Sequence, residues 1–432
     1  MSAVPGDLDT DTDLPLTVPL GHFVVALWFL WAGMLVGVGV VVDVLPGLAT
    51  LAHAHVLLVG WVCVTIMGAM TQFVPVWSGT PLHSHRLATV QLWLVVAGVS
   101  GFAVTLALGA MAWLVPFGIL LLVGFWTFAY NIGRTLATLD AYDVTERHFA
   151  YALAFLLLVT LFGLVLAVDF TLPITAHLPV EHDDLRQAHA TLAVFGTVLT
   201  TIYGALSQLG PMFTQTELHG IDDDVQSVET IGHPFGVVLL AGGRLVGSAP
   251  LARLGGLLVV VAALAVSVVL GRRLIEMRVE RRPMHTRYGA VAVALAAWAV
   301  WTAPAWVRTP TAGRHLLGAS GSGHLLGLGV IGLVLVGTLY HIVPFIVWVD
   351  RYSDRLGFEP VPMVDDLYDG RLAALDGTLW VGGTLCLVTA AWMGHPPFVL
   401  VGGVGVALAA GVFGANLVLV IYEHGPDSYG LL

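Results

Sequence analysis

A spaced signature occurs three times along this chain. Each copy has a leading residue, glycines at offsets +5 and +13, and a proline at +20. The copies are His55, Gly60, Gly68 and Pro75; Thr191, Gly196, Gly204 and Pro211; and His324, Gly329, Gly337 and Pro344. Their starts lie 136 and 133 residues apart. Self-similarity of this kind predicts a body built from three related units.

The composition indicates that this body lies in a membrane. Mean hydropathy is +0.89 and only 10% of the residues are charged, a balance that excludes a soluble domain. Apolar runs of about 20 residues recur, long enough to cross ~30 Å of hydrocarbon. Transmembrane strands would instead alternate apolar and polar residues. We therefore predict an all-α, polytopic membrane protein.

Twelve membrane spans are predicted, arranged in three pseudo-symmetric arcs of four helices. Spans two, six and ten carry the repeated signature, whose glycines allow close helix packing. The approximate boundaries are 16–42, 48–77, 87–108, 112–135, 148–169, 186–213, 229–247, 250–272, 287–307, 317–349, 371–393 and 396–422. They form one membrane domain, 16–422, between an acidic N-terminal tail, 1–15, and a C-terminal tail, 423–432.

The distribution of charge predicts the orientation. The segment 272–287, RRLIEMRVERRPMHTR, is strongly basic, and the positive-inside rule places it in the cytoplasm. Both tails are then cytoplasmic, and the leading residues of all three copies lie near the outer face of a cell membrane. All seventeen basic residues are arginine and the formal charge is −11. This excess of acid suggests a salt-loving organism, and we expect the lipid bilayer, not nucleic acid, as the partner.

Membrane histidines are functional candidates, because an unpaired imidazole in hydrocarbon is costly. His55 and His324 lead two copies of the signature and lie at matching depth. A haem iron accepts one imidazole on each face, so we expect this pair to hold one haem b. The alternative for each is a plain hydrogen bond to a neighbouring carbonyl or hydroxyl. No CxxCH motif is present for covalent haem attachment.

Other histidines lie near this pair or at the inner helix ends. His53 is about 200° around the helix from His55, and its equivalents in the other copies are His189 and Ser322. His53 and His189 are candidates for a second metal or haem, or for bonding to haem propionates or loop acids. An inner metal site, proton handling or hydrogen bonding remain open for three inner histidines. These are His22, His233 and His341.

Three arginines lie at the predicted outer border, namely Arg186, Arg244 and Arg314. A guanidinium can neutralise a haem propionate as a bidentate donor. The alternative is an interfacial arginine whose stem lies along the bilayer and whose charge reaches water. We expect these arginines to contribute to cofactor binding if a haem lies near the outer face.

The sequence resembles subunit I of the haem-copper oxidases and nitric oxide reductases. Span ten, GHLLGLGVIGLVLVGTLYHIVPF, is similar to helix ten of the haem-b members. Span two, HAHVLLVGWVCVTIMGAMTQFVPVWSG, resembles the His-x-His helix of the NnrS haem proteins, which are linked to nitric oxide metabolism. The resemblance implies twelve helices in three arcs of four, with His55 and His324 as axial ligands of the low-spin haem.

The chain departs from this family where the oxygen-reducing centre would be. Ser322 stands in place of the histidine that would bind the high-spin haem. His189 matches one copper ligand, but span seven offers His233 alone, at the inner depth. The HPEVY-type motif of helix six is missing, and there is no lysine for a proton path. The resemblance therefore implies a haem protein without a complete binuclear centre and without copper.

These observations predict a haem-binding protein that carries electrons or handles nitric oxide in respiration or denitrification. A redox subunit, or a small copper or haem electron carrier on the outer face, is the expected partner. We expect no independent oxygen reduction. The alternatives are a divergent reductase with a high-spin site built from His53 and His189, and a transporter without haem.

Overall fold

The computed structural model describes residues 15–425. The predicted tail segments 1–14 and 426–432 lie outside the described residues. Within the described range the chain is helical and forms no strand. We label the long helices α1 to α12. Their bounds are α1 Thr17–Val41, α2 Ala49–Ser78, α3 His85–Leu108, α4 Met111–Leu136, α5 Val144–Asp169, α6 His182–Thr214, α7 Asp222–Leu245, α8 Ala249–Ile275, α9 Pro283–Arg308, α10 Leu325–Arg355, α11 Gly370–Met393 and α12 Pro396–His424.

Eleven of these twelve described helices are long and apolar enough to cross a membrane. The exception is α7, which begins with Asp222, Asp223 and Asp224 and carries Glu229 and Arg244 further along. Asp222, Glu229 and Arg244 are buried against neighbouring helices. By length and composition the chain is therefore an all-helical, multi-pass membrane protein.

The helices that carry the repeated signature form the interior. In their most apolar stretches, α2, α6 and α10 have 61%, 78% and 83% of their residues buried, against at most 56% in the other apolar helices. Glycines on these helices let their neighbours approach closely. The remaining helices surround these three and cover the core.

Each of these inner helices contains a π-helical segment of eight residues. The segments are Val56–Cys63, Leu192–Leu199 and Leu325–Gly332. Each begins one residue after the leading position of the signature, which is His55, Thr191 or His324. π-Helical turns are rare and are frequent at functional sites. The three copies therefore share backbone geometry as well as sequence.

The repeated glycines pack on corresponding residues of the preceding helix. A Cβ added at the +13 glycine would meet a Cβ on the first helix of the same unit. The pairs are Gly68 with His22 at 2.6 Å, Gly204 with His148 at 2.5 Å and Gly337 with Arg287 at 3.3 Å. A Cβ added at the +5 glycine would meet a second residue of the same first helix, seven positions after the one that faces the +13 glycine. These pairs are Gly60 with Phe29, Gly196 with Phe155 and Gly329 with Ala294. The first two helices of all three units thus share one register.

The long helices contact each other in a closed order. Each helix packs against the next one in the chain, and α12 returns to pack against α1. The fourth helix of each unit therefore contacts the first helix of another unit: α4 contacts α5, α8 contacts α9, and α12 contacts α1. The three units consequently meet at three interfaces.

Replacing Gly204 by alanine is expected to destabilise the protein. The new Cβ would stand 2.5 Å from the Cβ of His148, so α5 and α6 would have to separate. Overpacking of this kind costs about 1–3 kcal/mol. The matched control is Gly210→Ala on the same helix, where no atom lies within 4 Å of the added Cβ. Thermal unfolding in detergent compares the two variants, and an equal loss in both would contradict the packing argument.

Candidate functional site

Four histidines lie at the end of the helices opposite the arginine-rich loop 272–287. His53 and His55 are on α2, His189 is on α6, and His324 directly precedes α10. His53 is close enough to His324 for the two rings to interact electrostatically. His55 interacts in the same way with His189. Helix α2 thus contributes one imidazole to each of two pairs.

His53 and His189 occupy the same place in the first and second units. The Nδ1 of His53 donates to the carbonyl oxygen of Gly33 on α1 at 2.8 Å. The Nδ1 of His189 donates to that of Val159 on α5 at 3.0 Å. A glycine four residues beyond each carbonyl makes room for the ring; these glycines are Gly37 and Gly163. The carbonyl fixes the proton on Nδ1 and leaves Nε2 as the atom that can bind a metal.

His55 is oriented by its own helix. Its Nδ1 donates to the carbonyl oxygen of Leu51 at 2.9 Å, and its ring packs against Phe102 of α3 with centroids 5.0 Å apart. His324 makes no hydrogen bond within the part of the chain that the structure describes, and its side chain is exposed. Three of the four imidazoles therefore present Nε2 in the neutral form that ligates metals.

The sequence analysis grouped these histidines differently. It paired His55 with His324, and His53 with His189, because each pair occupies equivalent repeat positions. In the structure, electrostatic interactions join non-equivalent positions, His53 with His324 and His55 with His189. The predicted ligand pairs remain a prediction.

The interface between the second and third units has no histidine pair. The corresponding positions hold Thr191 and Ser322. Phe195, Trp298 and Trp306 fill this region, fully buried and packed with ring centroids 5.5 to 5.7 Å apart. Large aromatic side chains therefore occupy the interface between the second and third units. Histidines lie near the other two interfaces.

Arg244 forms hydrogen bonds across the interface between the second and third units. Its guanidinium donates to the Thr191 hydroxyl at 2.7 Å and to backbone carbonyls of the loop 310–316, and it lies 5.3 Å from the centroid of Trp306. These bonds use four of its five N–H groups. These contacts join the loop 310–316 to α6, and the predicted binding of a haem propionate by Arg244 remains a prediction.

Arg186 and Arg314 lie near each other at the protein surface, at the end of the helices opposite the arginine-rich loop. Arg186 forms an exposed ion pair with Asp183 at 2.9 Å. Its Nη2 lies 3.6 Å from where a Cβ of Gly313 would be, beside the exposed Arg314. Both guanidinium groups are accessible, so these two arginines can contact an anionic group at this end of the helices.

The three inner histidines have separate partners. The Nδ1 of His22 donates to the carbonyl oxygen of Val18 at 2.8 Å. His341 packs edge-on against Phe213, with centroids 4.5 Å apart. His233 packs against the ring of Tyr203, 4.8 Å away. No interaction links these three histidines to one another among the described residues, so they form no shared inner site.

Two buried charged pairs lie on the half of the helices nearer the arginine-rich loop. The His148 Nε2 lies 3.0 Å from Glu229 Oε1. Arg287 forms an ion pair with Asp376, which also accepts a hydrogen bond from Tyr340. The sequence analysis did not assign Glu229 any role, although an acid within an apolar stretch is a functional signal. The burial of α7 against the other helices makes that signal clear.

Comparison of the chain with protein-family models and with curated proteins found no match. Among residues 15–425, no group of three or more His, Cys, Asp or Glu side chains converges as a metal site. The candidate site therefore consists of four histidines at one end of α2, α6 and α10. Its interpretation rests on this geometry together with the resemblance of α2 and α10 to haem-binding helices.

Proposed function

We propose that this protein is a b-type haem-binding membrane protein of the haem-copper oxidase superfamily, without a complete binuclear centre. It would carry electrons or handle nitric oxide. One observation carries the proposal: four histidines gather at one end of α2, α6 and α10, with His53 in electrostatic range of His324 and His55 in range of His189. Two imidazoles from separate helices are the ligand set of a six-coordinate haem iron.

The residues present fit such a group. Backbone carbonyls fix the Nδ1 protons of His53, His55 and His189, so that Nε2 remains to bind iron. The pair formed by His53 and His324 is the candidate for the first haem, because its members lie on α2 and directly before α10. The other pair is the candidate for a second haem or metal. A bound haem would supply one-electron redox chemistry.

The proposal includes the predicted arrangement of twelve spans in three arcs of four. The common glycine register and the closed order of helix contacts support it. Helix α7 completes the second arc, because Asp222, Glu229 and Arg244 on it are buried against protein. The arginine-rich loop 272–287 supports a cytoplasmic location for that end. A redox subunit or small copper or haem carrier would then meet the outer face of the cell membrane, near the histidines.

An oxygen-reducing centre is not part of this proposal. Ser322 lies at the third interface, where Phe195, Trp298 and Trp306 occupy the space. This filling supports a protein without a binuclear centre over a divergent reductase. The transporter alternative has one observation in its favour, since buried charges such as Glu229 are typical of transport pathways.

The absorption spectrum of the purified protein, expressed with haem supplied, tests the proposal. We expect a Soret band and a sharp reduced α band that carbon monoxide does not shift, because both axial positions are taken by histidine. A protein without a Soret band would contradict the proposal and favour the transporter. A shift of the whole α band with carbon monoxide would indicate an open axial position and favour the reductase.

A further inference from the structure

A buried polar cluster between α5, α6 and α7 has no role in the proposed haem chemistry. The His148 Nε2 lies 3.0 Å from Glu229 Oε1, with side chains 0% and 5% exposed. The Nδ1 of His148 donates to the carbonyl oxygen of Val144 at 2.6 Å. Because that bond fixes a proton on Nδ1, the contact between Nε2 and Oε1 must contain a further proton. The pair therefore holds one titratable proton, on either partner.

Two polar atoms beside this pair have no hydrogen-bond partner within the described residues. They are the hydroxyl of Tyr203 and the Nδ1 of His233. Both side chains are buried, and the Nε2 of His233 donates to the carbonyl oxygen of Phe195 at 2.9 Å. A buried polar group without a partner costs about 1–3 kcal/mol. Such groups mark a place where a ligand able to form hydrogen bonds is expected.

A cavity reaches this cluster from the arginine-rich end. It offers about 30 Å³ to a water-sized molecule, and Tyr203 and Glu229 line it. Leu218 and Arg273 line the same cavity nearer the loops. Arg273 is bonded to Asp222 at 2.7 Å, so its charge is compensated. The cavity thus leads from Glu229 of the buried pair toward the arginine-rich end of the helices.

The other two units lack a corresponding titratable pair. In the first unit, Gln91 lies about two turns into the third helix, where Glu229 lies in the second unit. In the third unit, Arg287 replaces His148 and forms an ion pair with Asp376. A glutamine does not titrate, and an arginine stays charged. The second unit alone of the three combines a histidine with an acid at these positions.

We propose that His148 and Glu229 form a proton-binding site that is loaded through this cavity from the arginine-rich end. A hydronium ion gives its proton to the pair and leaves as water, and the total charge of the pair rises by one. No other bond forms or breaks. The inference does not depend on the proposed haem. The charged or titratable groups that face the site are Arg147 from α5, Tyr203 from α6, His233 from α7 and Arg273 from α8.

Infrared difference spectra recorded between high and low pH on the whole protein in lipid vesicles test the site. We expect carboxyl or carboxylate bands that are lost in Glu229→Gln. The matched control, Glu359→Gln at an exposed surface acid, is expected to keep them. Identical spectra for wild type and a folded Glu229→Gln variant would overturn the proposal. If that variant does not fold, His148→Gln replaces it, and unchanged bands there would have the same meaning.

The loading route is tested by filling the cavity. Val269 lines it and is half-buried, so Val269→Trp would place a large side chain in the proton path. After a rapid pH jump on the arginine-rich side, we expect the Glu229 bands to appear several-fold more slowly in this variant. The same bands at the wild-type rate would show that protons enter by another route, and would overturn loading through the cavity.

Discussion

His53→Ala and His324→Ala are each expected to abolish the same low-spin haem spectrum. The two imidazoles interact across the boundary between the first and third units, and each would supply one axial ligand to one iron. Loss of either ligand leaves a five-coordinate iron that binds carbon monoxide, or no bound haem. Reduced-minus-oxidised spectra of the purified variants measure this loss, with haem quantified for each preparation.

The matched comparison uses the other pair and one exposed histidine. His55→Ala is expected to leave the spectrum of the first haem intact and to alter a second centre shared with His189. His395→Ala, at an exposed position, is expected to change nothing. If His55→Ala abolishes the same spectrum as His324→Ala while His53→Ala does not, the pairing seen in the structure does not hold the haem.

Arg287→Met is expected to destabilise the protein strongly. The guanidinium forms an ion pair with Asp376 and donates to the carbonyl oxygen of Ala373 at 2.8 Å, with both members of the ion pair buried. It also lies 4.7 Å from the ring centroid of Tyr340. Removing one partner of a buried pair leaves an uncompensated charge, at a cost of about 3–5 kcal/mol. Thermal unfolding in detergent and the yield of folded protein measure the effect.

Two control variants distinguish the stability lost through an unpaired charge from the stability lost through poorer packing. Arg355→Met removes an arginine from an exposed ion pair with Glu359, and we expect no measurable change in stability. The double variant Arg287→Met with Asp376→Asn removes both charges and keeps an acceptor for Tyr340. It should recover much of the stability that the single variant loses. A double variant as unstable as Arg287→Met would show that packing, not an unpaired charge, causes the loss.

The helix bounds predicted from the sequence were close for span two and less close for the start of span ten. Span two was predicted at 48–77, and α2 is Ala49–Ser78. Span ten was predicted to begin at 317, whereas α10 begins at Leu325. The residues before α10 form a loop, in which Gly318 and Gly321 adopt positive φ angles of 121° and 84°. Glycine adopts such angles readily, and hydropathy alone does not report them.

The candidate residues were visible in the sequence, but their partners were not. A histidine within an apolar run is recognisable in the sequence alone. His53, His55, His189 and His324 could therefore all be identified as candidates. The repeat suggested that equivalent residues face each other, whereas the electrostatic interactions in the structure join His53 with His324 and His55 with His189. Which rings meet depends on how the units close into a ring, and no local pattern contains that information.

The sequence by itself determined the all-helical membrane class and the threefold repetition of the signature, because composition and spacing are local properties. The tertiary structure decided what these positions do. Aromatic packing around Trp298 fills the interface between the second and third units. The packing of α7 against its neighbours places Glu229 against His148. Such contacts join residues that are far apart in the chain, and their geometry follows from the packing of whole helices rather than from the residues near each one.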